Sequence, residues 1–142
     1  MFMRVFGFAA ASALLLANNA LAKPKPVVEE LFKANRTLSG RVVAYPDGTP
    51  EMRVYRITLP VGAKIPLHIH PSPVVVLVEQ GRLTNVRVID DAEETNMIEA
   101  GKGFLEGHPM EPHYVVNEGP ETAVSLVTFA SVEDMPNMLL IE

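Results

Sequence analysis

From Glu51 onward the chain is cut into short runs by turn residues, and none of those runs is long enough to form a helical core. Glu51 to Leu59 mixes β-branched, aromatic and basic residues and stops at Pro60-Val61-Gly62. Ile65 to His70 is short, and Val74 to Val78 is a continuous apolar run closed by Gln80-Gly81. Leu83 to Ile89 alternates loosely, Asp90 to Glu94 is an acidic turn, and Thr95 to Glu99 leads to Gly101. Tyr114 to Asn117 and Thr122 to Phe129 flank the turn Asn117-Glu118-Gly119-Pro120, and Met135 to Ile141 can add an edge strand. Turns spaced about every 8–12 residues, with no sustained 3.6-residue period, predict an all-β sandwich or barrel in a single domain. Val75, Val76, Leu77, Val78, Leu126, Val127 and Phe129 are the expected core.

The first 22 residues read differently. Arg4 is the only charge before Lys23, Val5 to Leu16 is almost wholly apolar, and Ala20-Leu21-Ala22 has the small-x-small form of a cleavage site. This is the layout of a secretory signal peptide over 1–22, and it predicts a destination outside the cytoplasm, periplasmic or secreted. The apolar stretch is shorter than the ~20 residues a spanning helix needs, so no membrane span is expected after cleavage. Residues 23–40 are expected to be a linker or arm. Lys23 to Pro26 starts a strand poorly, and Val27 to Ala34 fits one or two helical turns or a first strand equally well. The barrel is expected over 41–142, after the turn at Tyr45-Pro46-Asp47-Gly48.

The chain has no cysteine, which removes disulfides, thiolate ligands and a lipoprotein anchor together. Its net charge of −5 leaves no electrostatic footprint for nucleic acid.

Four histidines fall in the expected barrel: His68, His70, His108 and His113. His68 and His70 are two apart, and residues at that spacing on a strand project from one face. Both rings can then approach one ion, but a metal site wants a third protein ligand, and an isolated His-x-His is weak evidence by itself.

The surrounding glycines sharpen the reading. Five residues separate Gly62 from His68, Gly81 closes the next strand, Gly101 precedes His113, and Asn117 follows His113. In these positions the chain resembles the cupin superfamily, whose two motifs read G-x5-H-x-H-x3,4-E-x6-G and G-x5-P-x-G-x2-H-x3-N. The resemblance covers roughly Arg41 to Phe129 and implies a jelly-roll barrel holding one divalent transition metal (Fe, Mn, Zn, Ni or Cu) through His68, His70 and His113. The turn Tyr45-Pro46-Asp47-Gly48-Thr49-Pro50-Glu51 is similar to one found in small exported bacterial cupins.

Three departures from the family pattern bear on the site. The motif-one glutamate falls at Val74 or Val75, neither of which can bind a metal. The second motif lacks Pro-x-Gly, and its loop, Gly107 to Pro112, must be reshaped. Glu106 stands where the family usually has an inward apolar residue, and an inward carboxylate is costly unless paired or bound to a cation.

Glu106 therefore carries three open readings: a fourth metal ligand, a catalytic base beside a metal-bound substrate, or a carboxylate solvated at the mouth or paired with Arg53 or Arg56. His108 and Glu111 read as exposed polar residues of a loop, Asn117 as a turn-fixing side chain, and Tyr55 and Tyr114 as rim or core packing. Three neutral imidazoles leave an ion nearly its full charge, which attracts a small anionic or enolisable ligand. By resemblance this implies a metal-dependent dioxygenase- or isomerase-type enzyme. The alternative is a non-catalytic cupin that binds a metal and a small molecule. The family's habit of pairing subunits also implies a homodimer, with Val42-Val43 and Met138 to Ile141 as plausible edges.

Overall fold

The computed structural model describes residues 23–142, so the leader expected over 1–22 lies outside the described residues. Nine strands follow one another: β1 (Pro50–Leu59), β2 (Lys64–Ile69), β3 (Val74–Gln80), β4 (Arg82–Ile89), β5 (Ala92–Glu99), β6 (Gly103–Glu106), β7 (His113–Val116), β8 (Ala123–Val132) and β9 (Leu139–Leu140). They form two antiparallel sheets, ordered β1-β8-β3-β6 and β5-β4-β7-β2-β9. This is the expected all-β jelly roll. The segment from Lys23 to Ala34 is neither helix nor strand, and Val42 makes only an isolated bridge to Arg36.

The acidic turn expected over Asp90 to Glu94 is shorter than the sequence suggests, because Ala92, Glu93 and Glu94 already belong to β5. Ile89 pairs with Ala92, and Asp90 and Asp91 between them take φ of 50° and 63°. Two consecutive positive φ values are what a tight hairpin with right-handed strand twist requires. Gly81 (φ 69°) is constrained twice, because a Cβ there would stand 2.8 Å from the Thr122 carbonyl oxygen.

The core lies between the sheets. Leu59, Val74, Val76, Val78, Leu83, Ile98, Phe104, Val115, Val127 and Phe129 are buried against one another. Alternation decides which apolar residues take part. Val74, Val76 and Val78 point inward, whereas Val75, Leu77 and Leu126 are half-buried and face away. The expected core is corrected at these three positions. The continuous VVVLV run is explained by a covering on the outer face, where Phe32 of the arm lies beside Leu77 over Gly103.

Asn117 ties the ends of three segments together. Its Nδ2 donates to Leu59 O (2.9 Å) and Glu121 O (2.8 Å), and its Oδ1 accepts from Gly119 N (2.9 Å). The side chain is fully buried, so each lost bond leaves a backbone group unpaired. Asn117→Ala is expected to cost about 2–4 kcal/mol by urea unfolding. A loss under about 1 kcal/mol would show that water replaces these bonds.

Candidate metal centre

Strand register brings the histidines together. His68 on β2 and His113 on β7 are direct cross-strand partners, and opposed residues share a face. His70 follows β2 by one residue and returns to the same side. All three rings are buried, with ring centroids 4.3 to 5.1 Å apart and candidate ligand nitrogens within 4.8 Å of one another.

Glu106 comes from the other sheet. It ends β6 and pairs directly with Val74 of β3. The carboxylate missing from the motif-one strand is thus supplied by the neighbouring strand, at the opposed position and on the same face. Its oxygens lie 3.3 Å from His70 Nε2 and 3.1 Å from His113 Nε2. Glu106 is only 8% exposed, which corrects the reading in which it turns to solvent at the mouth. Arg53 and Arg56 are engaged elsewhere, Arg53 with Glu51, Met135 O, Val132 O and Asn137, and Arg56 with Glu79.

The outer nitrogen of each ring is held by a backbone carbonyl. His68 Nδ1 donates to Pro66 O (2.6 Å), His70 Nδ1 to Asn137 O (2.7 Å) and His113 Nδ1 to Glu111 O (3.0 Å). A carbonyl only accepts, so each Nδ1 carries the proton and each Nε2 of a neutral ring presents a lone pair. His68 Nε2 faces His70 Nε2 at 3.2 Å, and His113 Nε2 faces Glu106 Oε1 at 3.1 Å. The three imidazole nitrogens therefore face one another within 4.8 Å, and the Glu106 carboxylate stands beside two of them. Three lone pairs in such proximity repel one another unless a cation or a proton sits among them. Ligand atoms on a common transition-metal ion also stand roughly 3–3.5 Å apart, as several of these do. The donor set fits a divalent metal.

The electrostatics agree. Burial and the neighbouring charge of His113 lower the His68 imidazole to about 4, so it stays a neutral ligand through the physiological range. Burial pushes the Glu106 carboxyl up, but His113 and His70 beside it outweigh that and hold it well below the usual carboxylate range. Burial lowers His113, and the Glu106 charge reverses this and raises it. Metal-free, the site favours one proton shared between His113 and Glu106, the single-charge counterpart of a bound ion.

Residues with no clear signal in the sequence complete the centre. Asn85 is buried on β4 and donates from Nδ2 to Glu106 Oε1 (2.6 Å). A polar residue at the inward phase of Leu83–Asn85–Arg87 was the available hint. The Asn137 carbonyl that orients His70 belongs to the C-terminal tail, where β9 pairs with β2.

Glu111 corrects the expectation of an exposed loop residue. It is buried and accepts from Thr37 Oγ1 (2.9 Å) and Ser39 Oγ, with Arg41 Nε at 3.4 Å. The arm thereby clamps the residue whose carbonyl orients His113. His108 is half-buried and accepts at Nδ1 from Met110 N.

A cavity of about 350 Å³ opens from the histidines into the barrel. Tyr55 lines it, whereas Tyr114 lies on the outer face under Lys64 Nζ, 3.6 Å from the ring centroid.

Two antiparallel sheets closed around an inward histidine triad define the class: the chain has the cupin fold. Solved structures agree. A cupin-like protein from Thermotoga maritima matches with TM-score 0.50 and 14% identity, over 63% of this chain and 64% of that one. The DMSP lyase DddQ from Ruegeria pomeroyi DSS-3 matches with TM-score 0.52 and 16% identity, over 63% of this chain and 42% of that one. An oxalate oxidase in complex with the substrate analogue glycolate matches with TM-score 0.55 and 19% identity, over 80% and 65%. The chain thus spans less than two thirds of each of these proteins, and at these identities the likeness concerns the fold. No protein-family model and no curated protein sequence matches the chain.

Proposed function

We propose that this protein is an exported metal-dependent cupin enzyme acting on a small organic anion, with His68, His70, His113 and Glu106 as the ligands of one divalent transition metal. One observation carries the reading: three buried imidazoles with their Nδ1 protons fixed outward cluster their ligand nitrogens within 4.8 Å, with the Glu106 carboxylate beside two of them. When bound, such an ion polarises and fixes an anionic group of the ligand. The chain's own residues orient that ligand and exclude water with apolar walls. Glu106 supplies the one negative charge of the ligand set, and Asn85 keeps one of its oxygens in place. Among the described residues lining the cavity it is the only carboxylate.

The apolar lining also supports a second reading, a carrier that binds metal and ligand without turnover. Apart from Glu106 and the histidines, the ionisable groups of the lining are Tyr55 and Arg56, both on β1 and both exposed. A homodimer is part of the proposal. The exposed Val27, Val28 and Leu31 of the arm and Leu139 and Leu140 of β9 are apolar surface that a second subunit would cover.

Elemental analysis of protein recovered from its own compartment tests the core of this reading. About one metal per chain is expected, because the three imidazoles form a single cluster with Glu106 beside it. Metal-replete protein that turns over an enol, carboxylate or diketone in a substrate panel establishes the enzyme. Metal-replete protein inert to that panel selects the carrier, and protein that takes up no metal under any loading condition overturns both.

A further inference from the structure

The cavity beyond the metal-binding end is built for a different ligand from the one its nearest polar atoms suggest. The walls running away from the histidines are Ile57, Leu59, Ile65, Val76, Leu83 and Val127. A dicarboxylate or a sugar placed there would leave several polar groups facing hydrocarbon, at a cost of about 1–3 kcal/mol for each unpaired group. At about 350 Å³ the space lies within the roughly 300–1,000 Å³ of small-molecule pockets, and it is far larger than a two-carbon acid fills.

One lining residue breaks the apolar wall away from the metal end. Ser125 is 2% exposed and pairs with Ile57 on one side and Val78 on the other. It points inward with Val127 and Phe129, at alternate positions of β8. Phe129 marks the metal end, with its ring 5.6 Å from that of His70. Ser125 is four residues further along the strand, ~13 Å by strand rise. A buried hydroxyl in an otherwise apolar wall offers one donor and one acceptor to whatever reaches it.

Resting on the metal-centre reading above, we infer that the ligand is an amphipathic monoanion: an anionic head at the histidines, an apolar or aromatic body, and one hydrogen-bonding group at the far end received by Ser125. The charge balance agrees. A divalent ion with three neutral imidazoles and one carboxylate carries one net positive charge, which a single anionic head neutralises. Ser125 is then a specificity-determining residue. A site that hydrogen-bonds a ligand hydroxyl discriminates against the analogue lacking it, because its own polar group would be left unpaired.

Calorimetric titration of the metal-replete protein with three probes tests this: 3-(4-hydroxyphenyl)propanoate, 3-phenylpropanoate and oxalate. The hydroxylated aromatic acid is expected to bind about tenfold more tightly than its deoxy analogue, and oxalate more weakly than either. In Ser125→Ala the two aromatic acids should bind within about twofold of each other. In Ser125→Leu, which fills the cavity beside residue 125, both should bind more weakly, while metal content stays at the wild-type level in each variant. Oxalate binding as tightly as the aromatic acids, or an unchanged hydroxyl preference in Ser125→Ala, would overturn the inference. Metal content is measured on the same samples, so the two ideas fail separately. Protein without metal counts against the metal centre, whereas metal-replete protein with the wrong preference counts against the ligand class.

Discussion

Replacing His113 by alanine should empty the metal centre. The ring is buried and directly opposed to His68 across the β2–β7 pair, and its Nε2 faces into the site 3.1 Å from Glu106 Oε1. Changes to groups that merely orient a ligand typically cost 10–100-fold in metal affinity, so loss of the ligand is expected to exceed about 100-fold. Purified His113→Ala protein should then carry less than about a tenth of an equivalent by elemental analysis. His68→Ala should behave alike. Retention of a full equivalent in either variant would place the ion elsewhere.

The pH dependence follows from the same groups. His113 is raised by Glu106, so in the metal-free protein it holds a proton over a wider range than a free imidazole. A metal must displace that proton, and the ion's affinity therefore rises with pH until His113 is neutral without help. His68 is lowered to about 4 and does not compete until strongly acidic conditions. The linkage for folding has opposite signs at the two rings. Unfolded His68 binds a proton below about 6.5 that the folded ring refuses down to about 4, so its burial destabilises the metal-free fold as pH falls through that window. His113, with its raised folded value, contributes stability present below about 6.5 and lost as pH rises through that folded value. Titrations of metal release and of unfolding read these two effects apart.

The second large effect concerns the carboxylate. Glu106→Val should lower metal affinity by about 100-fold, since one charged ligand is lost and the Asn85 amide is left facing a methyl group. Adding Val74→Glu in the same chain should recover most of it. Val74 is fully buried, is the direct cross-strand partner of Glu106, and also pairs with Phe129. The double variant exchanges two side chains across one pair, keeping charge and composition while moving the carboxylate to the strand that carries it in the family pattern. Affinity within about tenfold of wild type would establish that the two positions serve one role. A Glu106→Val protein that binds metal like wild type would show the carboxylate to be a proton-holding group outside the ligand set. Failure of the double variant alone would show that the β6 approach angle matters.

Much of this was legible in residue order. Short runs ending at Gly62, Gly81 and Gly101 predict strands, and those three glycines all take positive φ in the turns. The spacing of His68, His70 and His113 marks the triad because strand periodicity is local. The tail was also readable as an edge strand, and Leu139–Leu140 pairs with β2. Glu111 misled because a carboxylate between two prolines has the composition of a surface loop. Only the arm folding back shows that Thr37, Ser39 and Arg41 bury it.

The amino-acid sequence by itself determined the barrel class, the turn positions and the three imidazoles, since each follows from a period of two residues or from the freedom of glycine at a bend. Tertiary structure alone decided that Glu106 stands opposite Val74, that Asn85 holds it, and that the carbonyls of Pro66, Glu111 and Asn137 aim the rings. Cross-strand register is set by contacts between distant segments, and a backbone carbonyl is the same group on every residue, so neither leaves a mark in the order of side chains.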